Sequence, residues 1–149
     1  PLIYAITRQE SAFNPNVRSW ADAFGLMQMI PEKAVELSGK YGIVYKDYND
    51  LYKPALNVEM GTALLKELRL LYKGKFAQNV AAYNASTEAI AVWERERFDG
   101  NYLEFIEMIP YEETRNYIKL VFRNYITYKR VLNNESILVP ENFFSAPFN

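Results

Sequence analysis

Hydrophobic residues along this chain recur mainly every three or four positions, the spacing that places side chains on one face of an α-helix. Between residues 2 and 11, Ile3 and Ile6 form such a stripe, and Glu10 continues it. The alternation of polar and apolar residues that is typical of strands is scarce. The pattern therefore predicts an all-α fold, a compact multi-helix domain without a sizeable sheet.

Prolines, glycines and capping residues set the expected helix boundaries. Pro31 suits the first turn of a helix, Asn57 is a suitable N-cap, and Gly74 is a suitable terminator. Pro110 is expected to open the longest helix. The predicted helices cover residues 2–11, 31 to an end near 39–42, 57–74, 76–85, 87 to about 97, 102–108 and 110 to about 132, with a polar loop over about 13–22 and a connecting loop over 43–54.

Composition narrows the possible partners. Seventeen Lys and Arg stand against eighteen Asp and Glu, which gives a net charge of −1. A near-neutral balance provides no basic surface for nucleic acid, so we expect no nucleic-acid partner. No apolar run is long enough to span a bilayer, so we also expect no transmembrane segment.

Two residue types are missing from the 149 residues, cysteine and histidine. Their absence excludes disulfides, thiolate sites, Ser-His-Asp catalysis and the usual zinc sites. Acid/base chemistry near neutral pH then falls to Asp, Glu, Tyr or Lys. The polar run at Asp47, Asn49 and Asp50 lacks the Gly and the terminal Glu of a calcium loop, so we predict a polar connector, no metal and no cofactor.

Glu10 is the carboxylate whose position suits acid/base chemistry. Because it continues the Ile3–Ile6 stripe, its carboxyl is expected to point toward the body of the domain. Removal from water disfavours the charged form of a carboxyl and raises its pKa, as a general acid requires. Taken alone, however, a surface Glu that is solvated or paired with Arg8 explains the position better.

Four motifs follow one another along the chain. They are RQESAFNP at 8–15, GLMQ at 25–28, AYNA at 82–85 and IPYEETRNY at 109–117. In this order and spacing, residues 1 to about 132 resemble the soluble lytic murein transglycosylase family. The resemblance implies a lysozyme-like fold with a glycan-binding groove.

The resemblance also implies roles for individual residues. Glu10 takes the position of the family's catalytic glutamate. The implied substrate-binding residues are Ser19, Gln28, Ile30, Tyr83, Asn84, Glu113 and Tyr117. Each of these also has an ordinary structural interpretation, such as a loop hydroxyl at Ser19 or core aromatics at Tyr83 and Tyr117. Gly25 is expected to let two helices approach each other.

The implied mechanism uses one carboxyl. Glu10 protonates the oxygen between N-acetylmuramic acid and N-acetylglucosamine, and the substrate's acetamido oxygen attacks the anomeric carbon. Ionised Glu10 then accepts the proton of the 6-hydroxyl, which closes a 1,6-anhydro ring.

Two positions depart from the family pattern, since Asp22 and Ser86 stand where glycines are usual. Asp tolerates a positive φ, so a backbone role for Asp22 is the favoured interpretation. As a second carboxylate it would instead allow hydrolysis, as in a lysozyme-like enzyme. A non-catalytic glycan-binding module and a purely structural helical domain are the remaining alternatives.

The organisation of the chain completes the expectations. We predict a catalytic domain over residues 1–132 and a C-terminal tail over 133–149 that packs on it. The resemblance implies peptidoglycan strands as the partner and the bacterial periplasm or cell wall as the location. It also implies a larger chain with an N-terminal helical region, with which the abrupt start at Pro1 agrees.

Overall fold

A computed structural model describes residues 1–134 and 139–148, and these residues are mostly helical. Their α-helices are α1 (Leu2–Ser11), α2 (Pro31–Tyr41), α3 (Pro54–Leu71), α4 (Phe76–Asn84), α5 (Thr87–Arg97), α6 (Tyr102–Met108) and α7 (Glu112–Asn133). A short 3-10 helix, Tyr48–Tyr52, precedes α3. Within these ranges β structure is limited to isolated bridges. The predicted all-α fold class is confirmed.

Helix α2 shows how local sequence sets both ends of an element. Pro31 occupies its first turn, where the missing N–H costs no hydrogen bond. At the other end Gly42 adopts a left-handed φ of 69°, and its N–H donates to the carbonyl of Ser38 at 2.9 Å. Both ends agree with the prediction from sequence.

Two helix starts differ from the prediction. Helix α3 begins at Pro54, so Asn57 lies inside its first turn and does not cap it. Helix α7 begins at Glu112 with Tyr111 as its N-cap, so Pro110 precedes the helix. In both cases a residue with the right local propensity was assigned to a boundary a few positions away from the true one.

The chain divides into two compact units, Pro1–Leu64 and Leu65–Asn149. The first unit has a core from the loops, α2 and α3, formed by Phe24, Met29, Ala34, Leu37, Ile43, Leu51 and Met60. In the second unit, α4 is buried over residues 76–82 and packs against α5 and α7. Helices α5 and α6 begin with the side-chain caps Ser86 and Asn101.

Aromatic rings bring the end of the described chain onto α4 and α7. The ring of Phe76 lies between 5.2 and 6.1 Å, centroid to centroid, from those of Phe143, Phe144 and Phe148. The N–H of Phe148 donates to the carbonyl of Gly74 at 3.0 Å. The division into a domain over 1–132 and a tail over 133–149 stays a prediction, and residues 135–138 and 149 of that tail lie outside the described residues.

Along the described ranges, no helix combines the length and the apolar character that crossing a bilayer requires.

Candidate active site

Glu10 lies in the last turn of α1 and is half-buried. It follows Ile6, which is fully buried on the same side of the helix. The helix ends at once because Ala12 turns left-handed, with a φ of 51°, and its N–H donates to the carbonyl of Arg8. The carboxyl is therefore carried by a short rigid helix rather than by a loop.

The neighbouring Ser11 ties this helix end to a loop. Ser11 is buried, and its hydroxyl donates to the carbonyl of Leu26 at 2.8 Å, with the Thr7 carbonyl at 3.2 Å as a second acceptor. Gln28 lies two residues beyond Leu26. The bond therefore holds the helix that carries Glu10 against the segment that carries Gln28.

Residues 18–24 form a small hairpin-like projection, here called the 18–24 finger. Arg18 and Phe24 form an antiparallel bridge at its base, and the N–H of Ser19 donates to the carbonyl of Ala23 at 2.9 Å. The hydroxyl oxygen of Ser19 accepts from the N–H groups of Ala21 (3.2 Å) and Ala23 (3.0 Å). Ser19 thus builds its own turn, which leaves its hydroxyl hydrogen for a ligand.

Asp22 closes the finger with a left-handed backbone, at a φ of 54°. Asp is one of the few residues other than Gly that adopt this conformation readily, in agreement with the backbone role expected for Asp22. Its Oδ1 accepts from Arg18 Nε at 2.8 Å and lies 2.6 Å from Arg18 Nη2. The hydrogen bond and the charge of Asp22 raise the pKa of Arg18. A carboxylate already neutralised by a guanidinium is poorly suited to act as a second catalytic base.

Asn57 organises the loop that leads to Gln28, and sequence reasoning missed this. Asn57 is 0% exposed. Its Nδ2 donates to the carbonyls of Phe24 (2.7 Å) and Leu51 (2.8 Å), and its Oδ1 accepts from the N–H of Met27 at 2.7 Å. The available signal was an Asn within a largely apolar helical stretch, where its helix propensity is poor.

Gly25 makes this arrangement possible. Its φ is 77°, and a Cβ there would collide with the carbonyl oxygen of Leu51. The same Cβ would lie 2.5 Å from Asn57 Nδ2. Gly25 therefore admits a loop to the buried amide of Asn57, rather than one helix to another as the sequence suggested.

Gln28 is half-buried and also left-handed, with a φ of 49°. Its Nε2 donates to the carbonyls of Gly25 (2.8 Å) and Val17 (3.3 Å). Two carbonyl acceptors require the NH2 side of the amide, so the orientation of the group is set and Oε1 is the acceptor left for a ligand. Ile30, the N-cap residue of α2, is 40% exposed and presents an apolar side chain.

In the second unit, Asn84 and Glu113 line one cleft. Asn84 ends α4, and its Oδ1 accepts from the hydroxyl of Thr114 at 2.8 Å. Thr114 is buried at the start of α7, and sequence reasoning assigned it no role although it lies within the fourth motif. The cleft has a volume of about 390 Å³, and its lining is completed by Ala85, Ser86, Ala89 and Tyr111.

Two further predicted residues of this unit differ in exposure. Tyr83 is half-buried near the end of α4, whereas Tyr117 is only 6% exposed on α7. Tyr117 is thus chiefly a core residue.

Ser86, the other departure from the family, caps α5 by accepting from the N–H of Ala89 at 3.1 Å. Its φ of −166° is open to any residue, so no glycine is required there.

The acidic residues between α2 and α3 form hydrogen bonds at the 3-10 helix. Asp47 accepts from the N–H of Asn49 at 2.8 Å. Asp50 accepts from the N–H of Lys46 at 2.9 Å and pairs with Lys53 Nζ at 2.6 Å. The bonds from Lys53 and Lys46 lower the pKa of Asp50. Within the described part of the chain, no group of three or more acidic residues is arranged to hold a metal ion.

The chain is similar in sequence to proteins of a known family. The transglycosylase SLT domain matches residues 1–106. A putative soluble lytic murein transglycosylase of Haemophilus influenzae is 39% identical over 133 residues, which cover 88% of this chain and 22% of that protein. The chain spans about a fifth of the length of the curated soluble relatives it matches.

Solved structures of lytic transglycosylases are also similar to this chain. The lytic transglycosylase Slt of Pseudomonas aeruginosa, solved as an inactive glutamate-to-glutamine mutant, has a TM-score of 0.88 and 34% identity, covering 96% of this chain and 23% of that one. The 70-kDa soluble lytic transglycosylase of Escherichia coli has a TM-score of 0.87 and 30% identity, covering 99% and 24%. The resemblance seen in the motifs is confirmed, and this chain belongs to the transglycosylase SLT domain family.

Proposed function

We propose that this chain is the catalytic domain of a lytic transglycosylase. It cleaves the β-1,4 bond between N-acetylmuramic acid and N-acetylglucosamine in peptidoglycan and leaves 1,6-anhydromuramic acid ends. The observation that carries the proposal is the half-buried Glu10 at the end of α1, beside the bond from Ser11 to the loop of Gln28. The inactive glutamate-to-glutamine mutant of the Pseudomonas enzyme supports a required glutamate in this family.

In the proposed reaction Glu10 acts twice. As an acid it gives its proton to the glycosidic oxygen while the bond to the anomeric carbon breaks and the substrate's acetamido oxygen attacks that carbon. As a carboxylate it then takes the proton of the 6-hydroxyl, whose oxygen displaces the acetamido oxygen. Glu10 ends protonated as it began, and no water is consumed. A half-buried carboxyl at the end of a helix is held in one place for both proton transfers.

In both units, polar and apolar groups that the fold leaves accessible support the proposed glycan contacts. In the first unit, Ser19 offers a hydroxyl hydrogen, Gln28 offers Oε1, and Ile30 offers apolar surface. In the second unit, Asn84 and Glu113 offer the polar groups of their cleft. Tyr83 and Tyr117 complete the proposed set, and the buried Tyr117 acts mainly by supporting α7 from the core.

The names of the relatives support a proposed setting for this domain. Their names describe soluble and membrane-bound lytic murein transglycosylases. We therefore place the action of this domain on peptidoglycan strands in the bacterial periplasm or cell wall. This chain covers only a small share of each soluble relative, which supports the proposal that it belongs to a larger chain with an N-terminal helical region.

Digestion of purified peptidoglycan, followed by mass analysis of the products, tests the proposal. We expect products that end in 1,6-anhydromuramic acid, one water molecule lighter than hydrolysis products. Glu10→Gln should lower the rate by roughly 10²- to 10⁴-fold with glycan binding retained. Glu59→Gln, at an exposed position on α3, is the matched control and should keep full activity.

Other results would redirect the assignment. Water-added reducing ends as the main product would identify a lysozyme-like hydrolase. A wild-type chain as inactive as Glu10→Gln, but still bound to glycan, would identify a non-catalytic binding module.

A further inference from the structure

Trp20 lies at the tip of the 18–24 finger, and its side chain is fully exposed to solvent. The other tryptophan, Trp93, is 6% exposed. Tryptophan is on average among the highly buried residues, and its side chain carries one of the largest apolar surfaces of any residue. A tryptophan held entirely in solvent is therefore a candidate contact for a ligand.

The finger fixes the backbone position from which this side chain projects. The Ser19 hydroxyl and the Ser19–Ala23 backbone bond close the turn around Trp20. The Arg18–Asp22 pair joins the two sides of the finger. The guanidinium of Arg18 also lies 5.3 Å from the ring centre of the buried Phe24, which anchors the base. A preorganised support lowers the entropic cost of binding.

We propose that Trp20 is a stacking platform for a sugar ring of the glycan strand, a specificity-determining contact of this chain. The proposal rests on the proposed function. One face of a pyranose presents a patch of C–H groups, and a flat indole face is complementary to it. The exposed polar groups of Arg18 and Asp22 lie on the same finger and suit the hydroxyl groups at the edge of such a ring.

The placement favours a glycan over a lipid surface. Trp20 directly follows Ser19, which belongs to the proposed glycan contacts. The charged residues of the finger, Arg18 and Asp22, neutralise each other. A side chain that docks to an anionic membrane is usually accompanied by basic or further large apolar neighbours.

A platform at the tip binds substrate and transition state alike, so it should act on KM and leave kcat unchanged. Trp20→Ala should raise KM for peptidoglycan roughly two- to tenfold. Trp20→Phe keeps an aromatic face and should restore most of the affinity. Val44→Ala, at another exposed apolar position, is the control and should change neither constant.

Fluorescence provides a direct measurement that does not depend on turnover. In a Glu10→Gln, Trp93→Phe chain, Trp20 is the single indole. Titration with an N-acetylglucosamine oligosaccharide should shift its emission to shorter wavelength and saturate. The same titration of the Trp20→Phe version should show no such signal.

Three results would overturn the platform. These are an unchanged KM in Trp20→Ala, no emission shift with saturating oligosaccharide, or a shift with phosphatidylglycerol vesicles in place of the oligosaccharide, which would assign Trp20 to a membrane. Failure of the proposed function would give a different result from failure of the platform. A chain without activity would still show the oligosaccharide-dependent shift if Trp20 binds sugar.

Discussion

The Nδ2 atom of Asn57 occupies the space that a side chain at Gly25 would need. A Cβ at residue 25 would lie 2.5 Å from that nitrogen. In this position the amide of Asn57 binds the carbonyls of Phe24 and Leu51 and the N–H of Met27. Buried backbone groups in an irregular loop must find partners, and one side chain supplies three of them here. The path of the loop toward Gln28 therefore depends on this pair.

Replacement of Gly25 by alanine should destabilise the protein strongly. The new Cβ meets the Leu51 carbonyl and Asn57, and the φ of 77° is unfavourable for alanine. We expect a loss of roughly 2 kcal/mol or more in the free energy of unfolding. Urea unfolding at neutral pH measures it.

Gly39 provides the matched control. It lies inside α2, and an added Cβ there meets no atom within 4 Å. Gly39→Ala should raise the free energy of unfolding by about 0.5–1 kcal/mol, because alanine is the better helix former. If both substitutions changed the free energy of unfolding equally, the close contacts of residue 25 would not be the reason that a glycine is needed there.

Thr114→Val should weaken glycan binding without removing the catalytic acid. The substitution keeps the shape of the buried side chain but removes the hydroxyl that donates to Asn84 Oδ1 at 2.8 Å. One hydrogen bond of this kind contributes about 0.5–1.5 kcal/mol, so we expect KM for peptidoglycan to rise roughly two- to tenfold. Steady-state kinetics on soluble muropeptide substrates separate KM from kcat.

Thr127→Val on the same helix is the control for that substitution. The Thr127 hydroxyl donates to the carbonyl of Arg123 within α7 at 2.9 Å, on the exposed side. It should leave KM unchanged. If both threonine variants raised KM equally, the bond to Asn84 would not be the cause.

Asp50 should contribute to the acid sensitivity of the fold. The pKa of its carboxyl in the folded protein lies below the usual 3.8, chiefly because Lys53 donates a hydrogen bond to it and Lys46 donates a second. A lowered pKa means that the folded state holds fewer protons than the unfolded state. The stabilisation is therefore complete above the ordinary carboxyl pKa and is lost as the pH falls through the lowered value.

Asp50→Asn should be less stable than the wild type at pH 7 and should lose less stability on acidification to pH 3. Urea unfolding of both proteins at the two pH values measures the difference. Asp99→Asn, at an exposed position before α6, is the control and should follow the wild type at both values. A wild type and an Asp50→Asn variant with parallel pH profiles would contradict the assignment.

Local sequence was sufficient for most of the helical architecture. The spacing of Ile3 and Ile6 predicted α1, Pro31 predicted the start of α2, and the glycines at 39 and 42 predicted the region where it ends, because these signals act within one or two turns. The exclusion of cysteine and histidine chemistry also required only the composition. Local propensity did not locate the starts of α3 and α7, where Asn57 and Pro110 suited a boundary but did not form it.

At the candidate site, the sequence did not predict the hydrogen bonds or the burial of individual residues. The motifs pointed to Ser19 and Gln28 as glycan contacts, but not to the backbone bonds that occupy the Ser19 oxygen and the Gln28 NH2. They also left the exposure of Tyr117 and Trp20 undetermined. Burial depends on which distant segments pack against a residue, and no local pattern contains that information.

The sequence by itself determined the helical class, the restriction of acid/base chemistry to residues such as Glu10, and the family. The reason is that composition, periodicity and ordered motifs are properties of the chain alone. Only the tertiary structure decided which polar groups are taken by the fold and which stay available to a ligand. Asn57 reaches Met27 across 30 residues of chain, and Gly25 is required where a loop, the 3-10 helix and α3 meet. Such requirements arise from close packing in three dimensions, where the space left for one side chain is set by another far along the chain.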